Sequence, residues 1–148
     1  MPESEVRIIA DLRNLSRYEN REFHMPSVVG VWRLVSVASW DEAGQQLNKT
    51  EGDDVVGVAV FTAAGRMTAN VVRLGAHAGP RFVAYHGSYT VDGTTLTTKV
   101  EAAINPAWVD SEQVRETRFD GADRMFLRPP LREYGGQRVR LELEWIRS

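Results

Sequence analysis

From Arg138 to Trp145 the chain reads RVRLELEW, and its charged and apolar residues alternate without a break. In an extended strand, Val139, Leu141, Leu143 and Trp145 share one face, and Arg138, Arg140, Glu142 and Glu144 share the other. A helix would scatter both sets around its circumference, because its side chains repeat every 3.6 residues rather than every two. Such a segment demands a sheet with one face on a core, and its charged face is expected to meet water.

The same period runs through everything after Pro26. Strands are expected at about 29–39, 54–61, 66–73, 81–91, 95–104, 112–119, 123–128 and 137–147. Ala63-Ala64-Gly65, Asp92-Gly93, Asp120-Gly121 and Gly135-Gly136 supply turn chemistry between them, which makes successive antiparallel hairpins. Eight strands joined in sequence order predict a meander closed into an all-β antiparallel barrel. In the strand at 95–104, Leu96, Thr98, Val100, Ala102 and Ile104 are expected to point inward. The other inward sets are Trp32, Leu34 and Ser36; Gly57, Ala59 and Phe61; Met67, Ala69 and Val71; and Tyr85, Gly87 and Tyr89. The first strand opens on Gly30-Val31-Trp32, where the glycine would relieve a crowded backbone while the indole plugs one end of the barrel.

Before Pro26 the pattern differs. Ile8, Leu12 and Leu15 recur at helical spacing, with Glu3 and Glu5 at the start and Arg13, Arg17 and Arg21 toward the end, as the helix dipole favours. One amphipathic α-helix is therefore expected at about 3–19, so that residues 1–27 form a helix and linker and 28–148 form the barrel. The apolar stripe of that helix must be covered somewhere: as a lid on the barrel mouth, against the outer wall, or in a second copy of the chain as a homodimer contact. The lid is the reading preferred from the sequence, because water exclusion by lids is a recurrent device.

Small inward residues (Gly57, Ala59, Ala69, Gly87 and Ala102) suggest that the interior is not packed solid, since a barrel of eight strands is just wide enough to be filled or to hold one small ligand. The alternative is an ordinary core filled by Trp32, Met67, Tyr85, Tyr89 and Trp145. Other functions fit poorly. A net charge of −2 with interspersed signs offers no basic face for nucleic acid. No apolar run is long enough to span a membrane. The start MPESEVR carries acids where a secretory leader would be basic, and the chain has no cysteine, so a cytoplasmic location is expected. His24, His77 and His86 lack metal-ligand spacing, and no glycine-rich loop opens a helix, so neither a metal nor a cofactor is expected.

The stretches VGVWRLVSV, VGVAVFTAAGRMTANVVR, HGSYTVDGTTLTTKVEAAINPAWVDSEQVRETRFDG and LELEWIR together resemble the bacterial and fungal lipocalin-like domain family of small calycin-type barrels. The corner Asn105-Pro106-Ala107-Trp108 followed by Gln113-Val114-Arg115 is the most specific part of the likeness. Where imidazoles are common in that family, this chain has Thr98 and Lys99, and its N-terminal helix precedes the usual domain start. The resemblance implies a central pocket for a small, largely apolar or amphipathic metabolite. Some similar barrels in natural-product pathways act as cofactor-free cyclases, so cyclisation or isomerisation is the activity it implies, with a non-catalytic carrier or sensor as the alternative and a filled interaction module as a third.

Residue chemistry then nominates a site. Tyr85 and Tyr89 can donate to a ligand carbonyl, and Arg115, if it points inward, must meet an anion; pointing outward, it would pair with an acid on a neighbouring strand. Trp32, Leu34, Met67, Ala69, Thr98, Ala102, Trp108 and Gln113 are expected to line the ligand; Trp32, Trp108 and Trp145 would supply rigid apolar walls, with Trp32 and Trp145 better fitted to be structural plugs.

Overall fold

The computed structural model describes residues 26–75 and 80–148. The expected helix at 3–19, and with it the choice between lid, outer packing and dimer contact, lies outside the described residues.

Among the described residues ten strands form one antiparallel sheet: β1 (Gly30–Asp41), β2 (Gln46–Glu51), β3 (Val55–Phe61), β4 (Arg66–Arg73), β5 (Phe82–Asp92), β6 (Thr95–Ala103), β7 (Glu112–Phe119), β8 (Arg124–Arg128), β9 (Arg132–Tyr134) and β10 (Gln137–Arg147). Pairing of β1 with β10, from Trp32↔Arg147 to Asp41↔Val139, closes the sheet on itself. The two strands beyond the expected set do not change the count of staves. β3 pairs with Gly30–Arg33 of β1 and β2 with Ser36–Trp40 on the same edge, so β2 and β3 are one stave interrupted by the turn at Gly52–Asp54. In the same way β8 and β9 share one edge of β10 and are separated by Pro129 and Pro130, whose missing N–H groups break the ladder. The barrel thus has eight staves.

Inward residues follow the expected alternation along most of its length, with Met67, Ala69 and Val71 buried on β4 and Leu96, Thr98 and Val100 on β6. Besides a register shift of β2 against Ser39 and Trp40, two bulges among the described residues break it. On β1 the register against β10 shifts between Leu34 and Ser36, so Val35 is the extra residue. Ser36 therefore points outward and donates to Glu144 Oε1 at 3.0 Å, and Val37 takes the inward place expected for it. On β6 the register against β5 shifts between His86 and Gly87, leaving Glu101 as the extra residue. Beyond it, Ala102 pairs with the outward His86 and Ala103 with the inward Tyr85, and Ile104 is 60% exposed. Ala102 and Ile104 are thus not interior residues, contrary to the strict alternation.

Gly87 is what lets the second bulge close. A Cβ there would lie 1.9 Å from the Lys99 carbonyl oxygen, so no other residue fits without moving the backbone. Gly57 likewise relieves contact rather than widening the interior, since its Cβ would lie 2.7 Å from the Asn70 carbonyl oxygen.

One end of the barrel is sealed. Trp32, fully buried, donates from its indole to the Val28 carbonyl at 2.7 Å, and its ring lies 6.3 Å from that of Phe119. The Arg147 guanidinium stacks 4.2 Å over Trp32 and donates to the carbonyls of Val29, Ser27 and Ala122. Gly30 sits beneath it: its φ is +138°, and a Cβ would come within 2.6 Å of Arg147 Nη1. Thus Gly-x-Trp at the head of β1 is one half of a plug whose other half is Arg147 at the end of β10. Phe61, Leu96 and Met125 complete this packed end, each such side chain contributing about 1.5–3 kcal/mol on burial.

The charged face of β10 does not meet water throughout. Arg138 and Arg140 do, but Glu142 is 9% exposed beneath Arg128 at 2.5 Å, and Glu144 is covered by its ion pair with Arg124.

Candidate functional site

Opposite the plug, the barrel opens into a cavity of about 370 Å³, within the range of small-molecule pockets. Its lower wall is apolar and comes from alternating strand residues: Val37 from β1, Ala59 and Phe61 from β3, Met67, Ala69 and Val71 from β4, Leu127 from β8, and Leu141, Leu143 and Trp145 from β10. The small side chains that keep it open are Ala59 and Ala69, which face each other across the β3–β4 ladder. The exposed Pro80 and Asn105 mark its mouth.

The polar groups are concentrated on one side. Arg115, in the middle of β7, is 9% exposed and points inward, which settles the orientation that sequence left open. Its Nη1 donates to the Val114 carbonyl at 2.9 Å and its Nη2 to Gln113 Oε1 at 3.3 Å. Arg132 on β9 donates to the same oxygen at 3.1 Å. Gln113 is held in turn by its Nε2 bond to Ser111 Oγ at 3.2 Å, and Ser111 Oγ donates to the Trp108 carbonyl at 2.5 Å. Burial lowers the pKa of Arg115; the nearby Tyr85 hydroxyl opposes that effect, whereas the charge of Arg132 adds to it. Arg73, at the end of β4, lines the same cavity at 2% exposure, and burial lowers its pKa as well.

Asn105 Oδ1 accepts from Ala107 N at 3.1 Å and so caps the turn Pro106–Trp108, which presents Trp108 to the cavity. The Trp108 ring meets that of Tyr85 edge to face, with centroids 5.6 Å apart, and Arg132 lies 6.0 Å from the Trp108 ring centre. Asn105 and Trp108 of the corner and Arg115 of β7 thus share one wall of the site, with Gln113 holding Arg115 from behind.

The structure brings together Tyr85, Arg115, Met67, Ala69 and Trp108 on the cavity wall. It places the other nominated residues elsewhere. Tyr89 sits toward the sealed end, its ring 5.1 Å from Phe61 and its hydroxyl donating to the Thr62 carbonyl at 2.7 Å; burial raises its pKa. Trp32 belongs to the plug, and Leu34 packs where a Gly57 Cβ would be, 3.0 Å away. Thr98 is buried between Tyr89 and Gln113 in the ladders. Gln113 stands behind the two arginines rather than on the wall, and Ala102 is on the outer face. Sequence reasoning missed Arg73, Arg132 and Tyr134 as wall residues. Arg73 was legible, since it continues the inward phase of Met67, Ala69 and Val71; Arg132 and Tyr134 lie on the short strand after the prolines, which carries no alternation long enough to read.

The family model described as a lipocalin-like domain matches residues 29–148. No curated protein matches the sequence. Among solved structures, a crystal structure of an uncharacterized protein from Bacteroides eggerthii is 14% identical, covering 82% of this chain and 100% of that one at a TM-score of 0.45. A redesigned β-barrel is 13% identical over 82% of this chain and 91% of its own, with a TM-score of 0.43. A de novo designed fluorescence-activating β-barrel is 11% identical over 81% and 93%, with a TM-score of 0.42.

Proposed function

The chain belongs to the lipocalin-like domain family, and from that premise we propose that its cavity holds a small, largely apolar metabolite and assists a cofactor-independent cyclisation of it. The observation that carries this reading is the pairing of an apolar floor with Arg115 and Tyr85 on one wall. The floor confines a flexible chain, and confinement that holds reactive ends near attack distance lowers a barrier without any acid or base. The guanidinium and the phenol are donors already fixed before reaction, suited to negative charge that develops on a ligand oxygen. Tyr89, which the sequence also nominated, has no part in this proposal because its hydroxyl is engaged at the sealed end. A carrier that returns its ligand unchanged is the second reading, favoured by the many donors already engaged with protein acceptors.

A neutral naphthylamine dye tests occupancy: it should bind with about one-to-one stoichiometry. Ala69→Trp, which fills the floor, should abolish binding, and Ala102→Trp, on the outer face, should not. No binding by the wild type, or equal binding by the Ala69→Trp protein, refutes a ligand cavity. Native mass spectrometry of protein from its host then separates the two readings. A catalyst converts its retained metabolite to an isomer of the same mass and different chromatographic retention, and a carrier releases it unchanged.

A further inference from the structure

We propose that the cavity selects an anion: a ligand with an apolar body and a single carboxylate, seated with the carboxylate between Arg115 and Arg132 and the body on the alanine-lined floor. This rests on the reading of the cavity as a ligand site and names the ligand class.

The argument is one of charge. Among the described residues, the cavity wall holds Arg73, Arg115 and Arg132 and no aspartate or glutamate. On the outer surface, by contrast, Arg66, Arg118, Arg124, Arg128, Arg138 and Arg147 each meet a carboxylate, and Arg33, Arg81 and Arg140 are exposed to water. Arg115 and Arg132 make no ion pair among the described residues; both converge on one neutral oxygen, Gln113 Oε1, at 3.3 and 3.1 Å. The acids nearest them in sequence, Glu112, Glu116 and Glu133, are exposed on the other face of their strands. Two guanidinium groups that share a neutral acceptor repel each other and lack a counter-charge, and a desolvated cation is costly to maintain in that state. A bound carboxylate supplies the charge. Guanidinium forks match a carboxylate's two oxygens, which is why arginine rather than lysine suits such a place.

A second observation points to an oxygen-bearing ligand. Trp145, on the wall of the same cavity, keeps its indole Nε1 buried without a hydrogen-bond partner among the described residues. An N–H left in that state is a donor that a ligand oxygen can satisfy.

The test compares decanoate with 1-decanol, which share a chain and differ in charge, by isothermal titration against the full-length protein. Decanoate should bind at least about tenfold more tightly, the order expected for a charge-assisted pair over a neutral one. Arg115→Met should remove that preference, weakening decanoate binding far more than decanol binding. Arg132→Gln, at a half-exposed position that tolerates change, should reduce the preference even if the Arg115 variant fails to fold. Equal affinity for the two probes in the wild type overturns anion selection while leaving the ligand cavity standing. A preference for decanoate that persists in both folded variants overturns the assignment to these arginines. Binding of neither probe overturns the inference and the cavity reading together.

Discussion

Replacing Arg115 with methionine should make the ligand-free barrel more stable. Arg115 is 9% exposed and has neutral partners only, so the fold carries the cost of a desolvated cation with no ion pair to offset it. That cost is several kcal/mol for a buried ion, and replacing buried ionic groups by apolar residues of similar volume stabilises proteins by about 1–4 kcal/mol. Against the gain stand the lost bonds to Val114 and Gln113. Gln113 Oε1 is not orphaned, since Arg132 still donates to it at 3.1 Å. A net gain of about 1–2 kcal/mol follows, and at about 2–4 °C per kcal/mol for a chain of this size the Tm should rise by roughly 2–8 °C. Differential scanning calorimetry on protein refolded from denaturant, to strip any ligand, reads this directly. Arg66→Met, which removes an exposed partner of Glu101, is the control and should leave Tm nearly unchanged. A fall in Tm for Arg115→Met would show that the guanidinium is structurally compensated, and the reasoning from an uncancelled charge would be wrong.

Other outcomes follow from the same geometry. Gly87→Ala should destabilise by about 3 kcal/mol or more in urea titration, because its Cβ would collide with the Lys99 carbonyl; Gly93→Ala, in open space at φ +59°, should cost only about 1–2 kcal/mol. Arg147→Lys should lower stability by about 2–3 kcal/mol, since an ammonium cannot stack on Trp32 while reaching the carbonyls of Ser27, Val29 and Ala122. The Glu101 pKa is held below its ordinary value first by its hydrogen bond to Arg66, so that contribution is present at neutral pH and fades as pH falls through the folded-state value. Arg66→Ala should move the Glu101 titration, followed by carbon NMR of its carboxyl, upward toward the ordinary value.

How much of this was legible in the sequence depends on where alternation is strict. β4 is read correctly from period two, because no residue is inserted along it, whereas on β7 the same period sets Arg115 on the face opposite Val114, Glu116 and Arg118 without deciding which face is the inner one. β1 and β6 each carry a bulge, and an inserted residue reverses the phase of everything after it. The signal for such a reversal is an apolar or small doublet: Leu34-Val35 comes just before one shift, and Ala102-Ala103 just after the other. Doublets also occur where both faces of a strand are apolar, as on β3, whose outward Val56 is 61% exposed, so the doublet alone does not locate a bulge. The arginine cluster was only partly visible, because Arg73, Arg115 and Arg132 are distant in sequence and meet only when the barrel closes. Trp145, read as an apolar wall or a plug, is both buried core and cavity wall.

The central claim, that the open end of this barrel is the place where a small anionic amphiphile binds, is tested most directly by the four indole N–H resonances of the protein. Trp108 and Trp145 line the cavity, Trp32 lies in the plug with its N–H bonded to Val28, and Trp40 borders a separate groove beside Asp41 and Arg140. On titration with decanoate, the Trp108 and Trp145 signals should shift in step and saturate near one equivalent, as both rings line the occupied cavity. Trp32 and Trp40 should stay in place. Shifts centred on Trp40, or none at Trp108 and Trp145 while decanoate binds, would contradict the account.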